Sequence, residues 1–175
     1  MSRFPSCIVL LSLLLFSGCD WFKKEPSPKE ELPAATQEGR HSFGVLLNGE
    51  VWQPKGSSGR FGQGNLIASY QFDGTFNISA YRREGENESA LSIYSDSIYS
   101  EGVYRLNNPS RQSVSYLPMD CSYDQDSTVY HEGKLTITRF DLEAKVIAGT
   151  FEFVLARPGC DTIRGTQGRF DIRLF

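Results

Sequence analysis

The sequence predicts an all-β fold, an antiparallel β-sandwich of about 8–10 strands, and three observations carry that prediction. Apolar and polar residues alternate with period two in one stretch after another, and no window sustains the 3.6-residue period of a helix. Turn-forming pairs such as Asn48-Gly49 and Asp73-Gly74 punctuate those stretches. Aromatic residues make up 13% of the chain, chiefly Phe and Tyr, whose flat rings suit a pleated, half-buried surface.

The N-terminus stands apart from this pattern. Arg3 is followed by an almost wholly apolar run from Ile8 to Phe16, broken only by Ser12. The run has the length of a signal-peptide core and falls short of the roughly 20 apolar residues that a membrane-spanning helix needs. Small residues Ser17 and Gly18 lead to Cys19, and Leu15-Phe16-Ser17-Gly18-Cys19 resembles a bacterial lipobox with Phe16 in place of the usual leucine. The resemblance implies removal of residues 1–18, a lipoprotein signal peptide, and attachment of diacylglycerol and palmitate to the Cys19 thiol. Each buried methylene contributes about 0.8 kcal/mol to membrane attachment, so several acyl chains make release slow. Cys7 lies within the segment expected to be removed.

Residues 19–41 read as a lipid-anchored flexible linker. The stretch DWFKKEPSPKEELPAATQEG is rich in Pro, Glu and Lys and cannot bury enough apolar surface to offset the entropy of ordering. Trp21 and Phe22 lie where they would meet lipid headgroups. Lys23-Lys24-Glu25 resembles a surface-export signal, so the location expected is the cell envelope, anchored in the outer membrane, with the face left open. Residues 42–175 form the all-β domain, a normal size for one core.

The strands follow in order. Phe43, Val45 and Leu47 share a face, Asn48-Gly49 supplies a type I′ turn, and Trp52 returns on the same face opposite Val45. Leu66, Ala68, Tyr70 and Phe72 line the next strand, and Phe76, Ile78 and Ala80 the one after. A three-residue loop, Asp73 to Thr75, would pair Phe72 with Phe76 and keep both sets in the core, with a left-handed residue at or beside Gly74. Arg82 to Ser89 reads as a polar loop. Leu91 and Ile93 open another strand, with Tyr94 on its opposite face. Short strands follow near Glu101–Leu106 and Ser113–Met119, separated by the turn-forming Asn107-Asn108-Pro109-Ser110. In the last third Leu135 and Ile137, then Ile147, Gly149, Phe151, Phe153 and Leu155, point inward. Finally Phe170, Ile172 and Leu174 alternate with outward Arg169, Asp171 and Arg173. A lipocalin-like closed β-barrel carrying an apolar molecule is the alternative. Such barrels show Gly-x-Trp near the first strand, whereas two residues separate Gly49 from Trp52 here.

Three stretches together, FGVLLNGEVW (43–52), LTITRFD (135–141) with IAGTFEF (147–153), and GRFDI (168–172), resemble an uncharacterised family of small all-β lipoproteins of Gram-negative bacteria. The resemblance implies an all-β domain behind a lipid anchor and no enzymatic activity.

Charge and residue chemistry narrow the function classes. The full chain has 18 basic and 21 acidic residues; losing Arg3 with the signal moves the net charge from −3 to −4. An acidic chain without a basic stripe is unsuited to nucleic acid. Cys121 and Cys160 are the pair left in the domain, and outside the cytoplasm an even pair reads as a disulfide, with two free thiols or half a metal site as alternatives. A bond would stabilise the fold by about 4 kcal/mol in the chain-entropy treatment. His41 and His131 are the only histidines, His131 reading as a surface or strand-edge residue, and no Ser or Cys stands with a base in a recognisable motif. Asp120, Asp124 and Asp126 offer oxygens, but Thr128 and Val129 stand where a calcium loop takes Asp or Asn and then Gly. No metal or cofactor is expected. The candidate ligand surface is aromatic, Trp52, Tyr94, Tyr104 and Tyr116, suited to a glycan or to an envelope protein, with ordinary sheet packing as the competing explanation. The expectation is a membrane-tethered, non-enzymatic binding or structural module, with glycan processing as an alternative.

Overall fold

The Asn48-Gly49 turn does what its chemistry requires. Asn48 (φ 49°) and Gly49 (φ 90°) both occupy the left-handed region, as a type I′ turn demands. Strands β1 (Ser42–Leu47) and β2 (Glu50–Trp52) therefore pair with Leu47 opposite Glu50 and Val45 opposite Trp52. The computed structural model describes residues 29–56, 64–124 and 126–174. The expected signal segment, Cys19 and residues 20–28 of the linker lie outside the described residues. By its contacts the chain divides into Met1–Glu30 and Glu31–Phe175, and the fold is that of the second unit.

The remaining strands are β3 (Leu66–Tyr70), β4 (Phe76–Glu84), β5 (Asn87–Ser95), β6 (Gly102–Arg105), β7 (Gln112–Leu117), β8 (Tyr130–Asp141), β9 (Val146–Ala156) and β10 (Ile163–Arg173). They build two antiparallel sheets, one of six strands in the order β2-β1-β10-β9-β8-β6 and one of four in the order β3-β4-β5-β7. Neither sheet closes on itself, so the architecture is the expected sandwich and not the barrel.

The inner faces are filled by the alternating side chains. Phe43 stacks on Phe151 with ring centroids 5.1 Å apart, and Phe76 of the small sheet meets Phe170 of the large one at 5.9 Å. Tyr70 meets Phe140 edge-on at 5.4 Å, again joining the two sheets. Ile78, Leu91, Ile93, Leu135, Ile147 and Ile172 are fully buried between them. Gly165 belongs to this packing. The Phe153 ring lies across it, and a Cβ there would fall 2.2 Å from a ring carbon.

Four local expectations are corrected. The β3–β4 loop has three residues, but it comprises Phe72, Asp73 and Gly74. The Gln71 N–H donates to Thr75 O (2.9 Å) and the Gly74 N–H to Gln71 O (2.9 Å), which sets Tyr70 opposite Phe76. Gly74 is the left-handed residue (φ 89°), and Phe72 sits at the tip, 93% exposed, instead of in the core. The stretch Arg82 to Ser89 is not a loop. It continues β4 and β5 to a tight turn at Gly85-Glu86, with Arg83 paired to Glu88 across the strands at 2.9 Å. Its polarity reflects a two-sided wet hairpin, held by cross-strand charge pairing.

His131 is buried, not a surface residue. It lies on the inward side of β8, in line with Leu135 and Ile137, and burial pushes its imidazole pKa down against the raising influence of the Val114 and Asp124 main chain.

Asp171, expected to face solvent, is fully buried. Its carboxylate accepts the Thr36 hydroxyl (2.6 Å) and the backbone N–H groups of Glu38 (3.0 Å), Gly39 (2.7 Å) and Arg40 (3.2 Å). The segment before β1 is thereby folded over the outer face of the large sheet and also buries Ala148 beside Asp171. Arg173 adds hydrogen bonds to the Glu38 and Gly39 carbonyls, and Arg139 one to the Gln37 carbonyl. Residues 36–40, which composition assigns to the linker, are thus held against the domain. Burial would raise the Asp171 pKa, but the hydrogen bonds outweigh it and hold the carboxyl below the usual carboxylate range.

Candidate functional site

The disulfide organises the loop that borders the site. Cys121 and Cys160 are bonded, with Cα atoms 6.3 Å apart and 39 positions apart in sequence. Tyr123 folds back to exchange main-chain hydrogen bonds with Tyr116 (2.8 and 2.9 Å). Its ring is buried and its hydroxyl donates to the Asp161 carbonyl. The acidic side chains of this loop serve its own backbone: Asp124 accepts the Asp126 N–H (3.1 Å) and Asp126 the Thr128 N–H (3.0 Å). The Thr128 N–H holds the Asp126 carboxyl below its ordinary value. No group of three or more His, Cys, Asp or Glu suited to a metal ion occurs among the described residues.

The four aromatic residues singled out in the sequence fall in three places. Tyr94 stands on the outer face of the small sheet in a shallow polar hollow with Asn77, Ser92 and Ser115. Tyr104 is half-buried on β6 and donates to the Ser100 carbonyl at 2.8 Å. Trp52 and Tyr116, 64 positions apart in the chain, line one cleft of about 310 Å³ together with Arg82, Asn87, Glu88, Ser89 and Asp120.

Packing and hydrogen bonding hold this cleft in shape. Trp52 is 5% exposed, its indole edge-on to Phe43 with centroids 6.1 Å apart, and its N–H donates to the Ser89 hydroxyl at 3.0 Å. Tyr116 stacks on Tyr123 at 6.4 Å. Burial pushes the Tyr116 phenol up, while Ser89 and Arg82 pull it down. Arg82 donates to the Gln53 carbonyl (3.1 Å) and pairs with Glu84 (2.8 Å), which also holds Lys55 (2.6 Å). Lys55 and Arg82 lower the Glu84 pKa. The result is a rigid aromatic wall beside a row of fixed donors and acceptors, the chemistry that orients a polyhydroxylated or peptidic ligand.

Sequence reasoning named two of the lining residues and missed Arg82, Asn87, Glu88 and Ser89. Their signal was present as charge alternation on either side of Gly85-Glu86, which polarity alone read as a loop. Residues 42–171 match the family model of a domain of unknown function (DUF6252). None of the curated proteins and none of the solved structures matches the chain.

Proposed function

Because the chain belongs to the DUF6252 family, whose model spans the sandwich up to residue 171 in β10, we propose that it is a cell-envelope lipoprotein presenting this domain as a non-enzymatic binding or structural module. The lipid sits on Cys19, the spacer holds the domain off the membrane, and the outer membrane is the anchoring surface. The location rests on Leu15-Phe16-Ser17-Gly18-Cys19 and the Pro-, Glu- and Lys-rich stretch behind it.

The observation that carries the binding role is the meeting of Trp52 and Tyr116 in one cleft with Arg82, Asn87 and Asp120. Its partner is a glycan or another envelope protein. Ser89 holds the Trp52 indole and Glu84 holds Arg82, which suits recognition by a fixed surface.

Replacing Cys19 tests the anchor. Full-length protein expressed in a Gram-negative host is expected to carry diacylglycerol on its mature N-terminal cysteine by mass spectrometry and to fractionate with membranes. Cys19→Ser is expected to abolish both, leaving a soluble or unprocessed chain; unchanged membrane partition of that variant would refute the lipidation.

A further inference from the structure

Among the described residues, the segment before β1 covers one end of the outer face of the large sheet. Residues 36–40 close over Ala148 and Asp171. Farther along the strands, from β6 across β8 and β9 to β10, the face is an open groove of about 600 Å³, within the size range of ligand sites. It shares no lining residue with the Trp52–Tyr116 cleft.

Arg105 of β6 and Arg164 of β10 stand on its two banks, both exposed. Every other arginine among the described residues donates a hydrogen bond from its guanidinium: Arg40, Arg82, Arg83 and Arg111 to carboxylates, and Arg139, Arg157, Arg169 and Arg173 at least to a carbonyl. The guanidinium groups of Arg105 and Arg164 meet no acceptor among the described residues. Three strand spacings and a two-residue offset along the strands put their backbones about 16 Å apart.

The ground between them is not cationic. Lys134 is paired to Glu152 at 2.9 Å, and Glu132 accepts the Tyr130 hydroxyl at 2.7 Å. A continuous polyanion laid across the groove would set its charges against Glu132 and Glu152. A ligand with acidic groups at its ends and hydroxyls between them matches the pattern. Each guanidinium takes an anion in a two-pronged contact, while the carboxylates accept from hydroxyls. Val103, 66% exposed, and Val154 offer apolar contact to the C–H faces of sugar rings.

We propose that this groove binds an acidic oligosaccharide whose anionic groups bridge Arg105 and Arg164 across the hydroxyl-reading carboxylates Glu132 and Glu152. The assignment holds whether or not Cys19 carries a lipid.

The test is calorimetric titration of the full-length protein with tetrasaccharides of galacturonic acid, of sialic acid and of a sulfated glycosaminoglycan. Each is run beside its neutral counterpart, methyl-esterified or desulfated, and inorganic tripolyphosphate serves as the continuous polyanion. At least one acidic tetramer is expected to bind, its neutral form to fail, and tripolyphosphate to bind more weakly; which tetramer binds separates carboxylate from sulfate recognition. Arg105→Gln and Arg164→Gln are each expected to weaken binding about tenfold or more at unchanged melting temperature. Failure of all three acidic tetramers, equal binding of neutral forms or of tripolyphosphate, or full affinity in the doubly substituted protein would overturn the proposal.

Discussion

Asp171 is the residue whose replacement reports most directly on how this domain is held together. Asp171→Asn preserves size and removes the charge. In the native chain one carboxylate receives four hydrogen bonds from Thr36, Glu38, Gly39 and Arg40. An asparagine offers one oxygen to that set and turns its NH2 group toward the remaining N–H donors, where nothing accepts. Hydrogen bonds to a charged group contribute about 1.5–3 kcal/mol net each and neutral ones about 1. The gross loss is offset by relieving the desolvation of a buried carboxylate, and a net destabilisation of about 2–4 kcal/mol results. At roughly 3 °C per kcal/mol for a domain of this size, the melting temperature at pH 7 falls by about 6–12 °C.

The pH dependence gives a second readout with a defined sign. The folded-state pKa of Asp171 lies below its unfolded value of about 3.9. Its stabilisation is therefore complete above that unfolded value and is lost as pH falls through the folded pKa. The gap in melting temperature between the native protein and Asp171→Asn is expected to be constant from pH 7 to about pH 5 and to shrink below pH 4. Amide hydrogen exchange at Glu38, Gly39 and Arg40 is expected to accelerate in the variant. An unchanged melting temperature at pH 7, or a gap as wide at pH 3 as at pH 7, would refute the reasoning.

The other expectations are local. Gly165→Ala puts a methyl group 2.2 Å from the Phe153 ring, so overpacking is expected to cost about 1–3 kcal/mol in a denaturant melt; a neutral result would mean that the ring moves freely. Non-reducing mass spectrometry of the native protein is expected to find the peptides of Cys121 and Cys160 joined. Cys121→Ser with Cys160→Ser is expected to lower stability by about 4 kcal/mol, from release of the closed loop. Two free thiols in the native protein, or unchanged stability in the double variant, would count against that role.

Much of this architecture was legible in the chain because a pleated strand writes its two faces into alternating positions. The β1–β2 register followed from Asn48-Gly49, and the inward sets on β4, β5, β8 and β9 followed from their period. The same alternation misassigned Asp171, since it separates the two sides of a strand without saying what covers the second. Only the folded chain brings residue 36 to residue 171, across 135 positions, and converts an apparently solvent-facing carboxylate into an anchor. Phe72 escaped for a related reason: shifting the same three-residue loop by one position moves an aromatic from core to tip, and main-chain hydrogen bonds at Gln71 and Thr75 decide that. The cleft at Trp52 and Tyr116, and the placing of Arg105 and Arg164, whose guanidinium groups have no partner among the described residues, are products of strand order. Composition says which side chains exist, strand order says which of them share a bank, and the free energy of packing distant strands, not any local propensity, sets that order.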